Sequence, residues 1–300
     1  MIEREDRTAV EANVRACYST WAESYFDDYY AGAGAYPPIH VDIVRRLLRA
    51  RQPRTLIDAG CGPASILRQL VDCGLDLYGF DLTPQMVDEA RRVMSAWNVA
   101  HDRFWQGSVA ELGDYQRPAS GYDAALCFGV FPHLPANLDA PVIANLYAAL
   151  APGGIAAIEA RNQLFALFTL NRYSRDLFWQ ELIGTDTLAP AERAALAPAL
   201  AALEAQFRTD LPPIRRGHAG EPGYDEVLSR THNPFVMREQ FEAAGFTDVQ
   251  VHFYHFHALP PMLESYAPEW FRRRSLALEN PADWRGHFMA SAFIVTGVKS

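Results

Sequence analysis

Residues 55–65 read TLIDAGCGPAS: an apolar run carrying Asp58, a turn with glycines at Gly60 and Gly62, and Pro63 opening the next segment. Glycine lets the backbone approach a ligand where a Cβ would obstruct it, and a helix after such a turn points unpaired N–H groups at that ligand. The turn alone is weak testimony. The next apolar run lies in LYGFDLTPQMVDEA, residues 77–90, and closes at Asp81, 21 residues after Gly60. In a doubly wound sheet an acid at such a strand end accepts hydrogen bonds from both hydroxyls of a ribose.

The same alternation continues along the chain. Apolar runs at 55–59, 76–80, 103–106, 124–128 and 155–160 predict strands, with helices expected at 63–72, 84–97 and 138–150. Residues 8–30 and 38–50 read as amphipathic helices ahead of the sheet. A helix at 237–244, ended by Gly245, leads to strands expected at 248–256 and 288–298. This pattern predicts an α/β fold built on a doubly wound, mostly parallel, seven-stranded sheet. Alternation lapses after Ala160, where FALF, LFWQ and an alanine-rich helix at 191–208 read as an inserted helical cap. The expected organisation is a helical cover over 1–50, a core over 51–160 and 236–300, and a cap over 161–235 that binds the acceptor.

Composition narrows the partners. The chain has 300 residues, 49% apolar and 21% charged, with a formal net charge of −9. Phosphate neutralisation needs a clustered basic surface, so no general nucleic-acid binder is expected. Arg215, Arg216 and the run Arg272 to Arg274 read as solvated faces or as local recognition of an anion. No apolar run reaches the roughly 18 residues of a membrane span, and the start MIEREDRTAV lacks a secretory apolar stretch, so a cytoplasmic protein without a membrane partner is expected. Cys17, Cys61, Cys73 and Cys127 lack CxxC or Cys/His pairing and are expected to be reduced packing residues, with no metal site. Homo-oligomerisation stays open.

IDAGCGPAS, Asp81 after GF, GSVAEL at 107–112 and LAPGG at 150–154 occur in the order and spacing of the class I S-adenosylmethionine-dependent methyltransferases, which the chain resembles over about residues 15–160 and the last two strands. The resemblance implies the Rossmann-like methyltransferase fold and S-adenosylmethionine as cofactor. It also implies roles: Asp58, Gly60 and Gly62 frame the methionine portion and Asp81 holds the ribose, with Leu82 beside it. Met86 packs on adenine, Ser108 and Val109 lie at the adenine edge, Phe128 lines the pocket, and Tyr18 and Tyr25 form an aromatic lid. The alternative for both tyrosines is an amphipathic core face. Two departures stand out: Ala64 occupies the place of a third glycine, and Ser108 that of an acid which reads the adenine amino group. A nicotinamide-dependent dehydrogenase is the competing reading, but it would want GxGxxG where this chain ends in Ser65.

Ligands of such sheets sit beyond the carboxyl ends of the strands, where this chain places polar residues. FGVFPHLP brings His133, EARN brings Glu159, Arg161 and Asn162, and YHFHALPP brings His255 and His257. A hydroxyl acceptor must lose its proton, and histidine suits that task near neutral pH, so His133 or His255 is the expected base. Arg161 is expected to hold an acceptor carboxylate or phosphate, or else to pair locally with an acid. The expected reaction is methyl transfer to a small polar or anionic metabolite, at oxygen. The alternatives are carbon methylation of an isoprenoid diphosphate or other anionic acceptor, and a non-catalytic module that only binds S-adenosylmethionine.

Overall fold

The computed structural model describes residues 6–29, 37–116, 118, 120–212 and 227–300; Arg215 and Arg216 lie outside the described residues. Two compact units emerge: residues 1–161, 216–252 and 293–300 form one, and 162–215 with 253–292 form the other.

The first unit is organised by a sheet in the order β3-β2-β1-β4-β5-β7-β6. Its strands are β1 (Thr55–Ala59), β2 (Asp76–Asp81), β3 (Phe104–Gln106), β4 (Tyr122–Cys127), β5 (Leu150–Arg161), β6 (Phe246–Phe256) and β7 (Ala290–Lys299). Pairings β1 with β2, β1 with β4, β2 with β3 and β4 with β5 are all parallel. The order reverses after β1, whose two neighbours are β2 and β4, so a crevice opens beyond its carboxyl end at the Gly60 turn. Leu56, Ile57 and Ala59 are fully buried, as expected of a central strand covered on both faces. Asp123 Oδ2 ties β4 to the start of β1 by accepting from the Arg54 and Thr55 N–H groups at 2.8 and 3.0 Å.

Helices α1 (Arg7–Ser19), α2 (Tyr25–Tyr29) and α3 (Ile39–Arg51) precede the sheet. Asp6 caps α1 by accepting from the Thr8 N–H. Between the strands run α4 (Pro84–Met94) and α5 (Asp139–Ala149). Pro84 opens α4 where its missing N–H costs nothing, and Arg91 and Arg92 lie in the last turn, matching the helix dipole. The helix expected over 63–72 is instead a series of turns and two short 3₁₀ segments, Leu67–Gln69 and Val71–Cys73. Ala64 is the cause: its φ of +57° is left-handed, which prevents an α-helix from propagating through it.

The second unit carries α6 (Ala166–Thr169), α7 (Arg172–Leu177) and α8 (Pro190–Glu204). Asn171 caps α7, accepting from the Tyr173 N–H at 3.0 Å. Back in the first unit, α9 (Pro234–Ala243) is capped by Asn233 and followed by Gly245 at φ +99°. The second unit closes with α10 (Pro268–Ala277) and α11 (Gly286–Met289). Strict alternation lapses near the end of β6, where His255 has φ +59° and Phe253 and Tyr254 are both buried. Among the described residues no helix is long and apolar enough to cross a membrane.

Candidate active site

A cavity of about 940 Å³, open to solvent, lies at the Gly60 turn of the first unit. All eleven residues assigned to the cofactor by resemblance line it: Tyr18, Tyr25, Asp58, Gly60, Gly62, Asp81, Leu82, Met86, Ser108, Val109 and Phe128. His133 lines it too, and so do Glu11 and Ser65, which sequence reasoning missed.

The glycine turn is built by backbone geometry. Gly60 has φ +83°, and a Cβ there would overlap Val130 Cγ2, so only glycine closes the turn against the loop after β4. Both the Gly60 and Cys61 N–H groups donate to the Phe80 carbonyl, at 2.8 and 3.0 Å, which draws the turn over the end of β2. Asp81 is then locked from two sides: Oδ2 accepts from the Gly62 N–H at 2.9 Å and Oδ1 from the Thr83 N–H at 2.8 Å. A carboxylate offers about four lone-pair sites, so each oxygen keeps capacity for a ligand hydroxyl. Burial pushes the Asp81 carboxyl up, and these two N–H groups pull against it.

Asp58 sits deeper, 2% exposed, with Oδ1 buried and without a hydrogen-bond partner among the described residues. Burial, reinforced by the Asp81 charge, pushes its carboxyl up to about 7. Ser65 Oγ, on the same cavity, is likewise buried and unpartnered among the described residues. Unsatisfied polar atoms of this kind are costly, and two of them around one cavity mark a place where a polar ligand completes the bonding.

At the loop after β4, His133 Nδ1 meets the Leu228 carbonyl oxygen at 2.7 Å, and Nε2 meets the Tyr18 hydroxyl at 2.8 Å. A carbonyl only accepts, so Nδ1 carries the proton and Nε2 offers its lone pair to Tyr18. Burial pushes the imidazole down to about 4; the Leu228 carbonyl opposes this and the Arg161 charge adds to it. The Tyr18 and Tyr25 rings lie 6.2 Å apart.

Residues 228–232 form a strap that holds this wall. Leu228 supplies the carbonyl to His133, and Ser229 Oγ accepts from Arg161 Nη1. Arg230 makes a two-pronged pair with Asp139, at 3.0 and 2.8 Å, and donates to the Leu134 carbonyl at 2.8 Å. The His232 N–H donates to the Arg161 carbonyl at 2.8 Å. Burial alone would raise Asp139; the His232 ring, its Nε2 3.5 Å away, and the Arg230 pair outweigh it and hold the carboxyl below its usual value.

Arg161 therefore borders His133 but does not line the cavity, and His255 belongs to the second unit, its ring 4.6 Å from that of Tyr254. Asn162, also in the second unit, spends its amide on the carbonyls of Gly286, His287 and Ala290, at 2.8–3.1 Å. It is a structural joint of that unit. Among the described residues no group of three His, Cys, Asp or Glu is placed to hold a metal ion.

Residues 57–156 match the family model of a methyltransferase domain. Over 136 residues the chain is 30% identical to a ubiquinone biosynthesis O-methyltransferase of Xanthomonas campestris pv. campestris (strain B100), covering 45% of this chain and 54% of that protein. Over 116 residues it is 29% identical to a malonyl-[acyl-carrier protein] O-methyltransferase of Enterobacter lignolyticus (strain SCF1), covering 39% of this chain and 42% of that protein. The chain thus spans about half the length of these curated relatives. Residues 57–156 thus carry a methyltransferase domain. The crystal structure of magnesium protoporphyrin IX methyltransferase from Synechocystis PCC 6803, with bound SAH, shares the fold of this chain: TM-score 0.51 at 16% identity, over 98% of this chain and 100% of that one.

The residues of this cavity suit S-adenosylmethionine. Asp81 has acceptor capacity for two hydroxyls, the unpartnered Asp58 oxygen suits an ammonium group, and Met86, Val109 and Leu82 give an apolar wall for a flat base. The left-handed backbone that a third glycine would adopt freely is adopted here by Ala64, fully buried.

Proposed function

We propose that this chain transfers the methyl group of S-adenosylmethionine to an oxygen of a small, polar or anionic acceptor. When bound, the cofactor supplies an electrophilic methyl on a positively charged sulfur. The observation that carries the reading is that one cavity joins the Asp81 cradle and the buried Asp58 to the Tyr18–His133 pair. Positioning of the acceptor at that pair contributes several kcal/mol by avoiding the entropy of encounter. His133 is the base in this reading. With its imidazole held neutral and Nε2 aimed at the Tyr18 hydroxyl, it takes the tyrosine proton as the tyrosine oxygen takes that of the acceptor. The phenol ends neutral and the proton rests on Nε2. Arg161, beside His133, favours an anionic acceptor, and the inserted residues 161–235 are assigned to acceptor recognition. Two of the relatives described above are O-methyltransferases by name, which supports transfer to oxygen.

The test is a labelled-methyl assay against a native small-molecule extract. Labelled product is expected with the wild type, and His133→Gln is expected to lower kcat by about 10²–10⁴ with cofactor affinity little changed. Tight binding of S-adenosylmethionine without labelled product would instead identify a binding module.

A further inference from the structure

The cavity meets α1 at Ser108, where this chain lacks the acid that would accept from an adenine amino group. Ser108 does not fill that gap. A hydroxyl has one proton and two lone pairs, and all three are spent: Ser108 Oγ donates to Glu11 Oε1 at 2.9 Å and accepts from Arg7 Nη2 and the Ala110 N–H, both at 3.3 Å. Its backbone N–H is committed to Asp114 Oδ2 at 2.8 Å.

The carboxylate of Glu11 is differently placed. Oε1 accepts from Arg7 Nε at 2.8 Å and from Ser108. Oε2 has Arg15 Nη2 at 3.7 Å, beyond hydrogen-bond length, and so retains its acceptor capacity. Glu11 lines the cavity with Val10 and Val14 of the same helix, and Met86 and Val109 line it as well. Arg7 anchors it from outside by pairing with Glu111 at 2.7 Å.

We propose that Glu11, carried in on α1 and held by Ser108 and Arg7, is the acid that reads the exocyclic amino group of the adenine base. This rests on the S-adenosylmethionine reading of the cavity. The acid has moved from the strand-end loop to the covering helix, so recognition of the base and seating of α1 become one event. The specificity follows from chemistry: adenine presents an N–H donor at this position, whereas hypoxanthine presents a carbonyl oxygen, which a carboxylate repels.

Calorimetry with S-adenosylhomocysteine and S-inosylhomocysteine tests it. The wild type is expected to prefer the adenosyl compound by about tenfold or more, a single charge-assisted hydrogen bond's worth. Glu11→Gln, whose amide donates as readily as it accepts, is expected to bring the two affinities within about threefold. The ratio is internal to each variant, so partial loss of folded protein leaves it unmoved. Glu111→Gln weakens the anchor without touching the cavity and is expected to keep the wild-type ratio. A wild-type ratio in Glu11→Gln overturns the proposal while leaving the cofactor reading intact. Failure of the wild type to bind either compound overturns both.

Discussion

Asp58 shows how much of the site is set by one side chain's surroundings. Its carboxyl is pushed up to about 7 by burial and by the Asp81 charge, so near pH 6 it is largely protonated in the ligand-free protein. A folded value above the unfolded one means that its contribution to stability is full below the unfolded value and is lost as pH rises through 7. An ammonium group brought against Oδ1 favours the carboxylate. Binding of S-adenosylhomocysteine at pH 6 should therefore release close to one proton from this residue, read as the dependence of calorimetric enthalpy on buffer ionisation enthalpy. Asp58→Asn should abolish that release; an unchanged release would place the ammonium elsewhere. Asp58, Gly60, Gly62 and Asp81 were legible in the sequence because the strand, the turn and the acid lie within one short stretch. Glu11 was not, since no local pattern distinguishes a cavity-facing glutamate from any other on an amphipathic helix.

The strap of residues 228–232 is the element on which the His133 wall of the cavity leans. Its sequence, LSRTH, carries no motif, and its role emerges only where Leu228, Ser229 and Arg230 meet His133, Arg161 and Asp139. Asp139 is buried at the start of α5, and its two-pronged partner is half-buried. Removing one member of such a pair leaves a charge uncompensated, so Arg230→Met should cost about 3 kcal/mol in urea unfolding at pH 7. The same variant frees the strap and should loosen the Leu228 contact that sets the His133 tautomer. A loss below about 0.5 kcal/mol would mark the pair as a surface interaction. At this scale the strands were read to within two residues, except β5, which begins five residues earlier than expected, while the helix expected over 63–72 was not. The amphipathic pattern there is real, but the left-handed backbone at Ala64, imposed by the turn, outweighs it.

For the molecule as a whole, a ligand that binds only the folded state adds stability by mass action. S-adenosylhomocysteine at a hundred times its Kd should raise the unfolding free energy of the unit that holds the cavity by about 2.7 kcal/mol, seen as a higher Tm by calorimetry or dye fluorescence. A shift equal to that of Asp81→Ala, which lacks the ribose acceptor, would show that the stabilisation comes from another site. The doubly wound sheet follows from the chain alone, because alternation of apolar residues, a glycine turn and a strand-end acid are local features whose geometry allows few folds, and the class of cofactor follows from the family its motifs resemble. The partner of each site residue was a matter for the folded molecule. That Tyr18 faces His133, that Leu228 sets a proton on Nδ1 and that Glu11 closes the gap at Ser108 are contacts across 115, 95 and 97 residues of chain, and only packing brings such groups within hydrogen-bond reach.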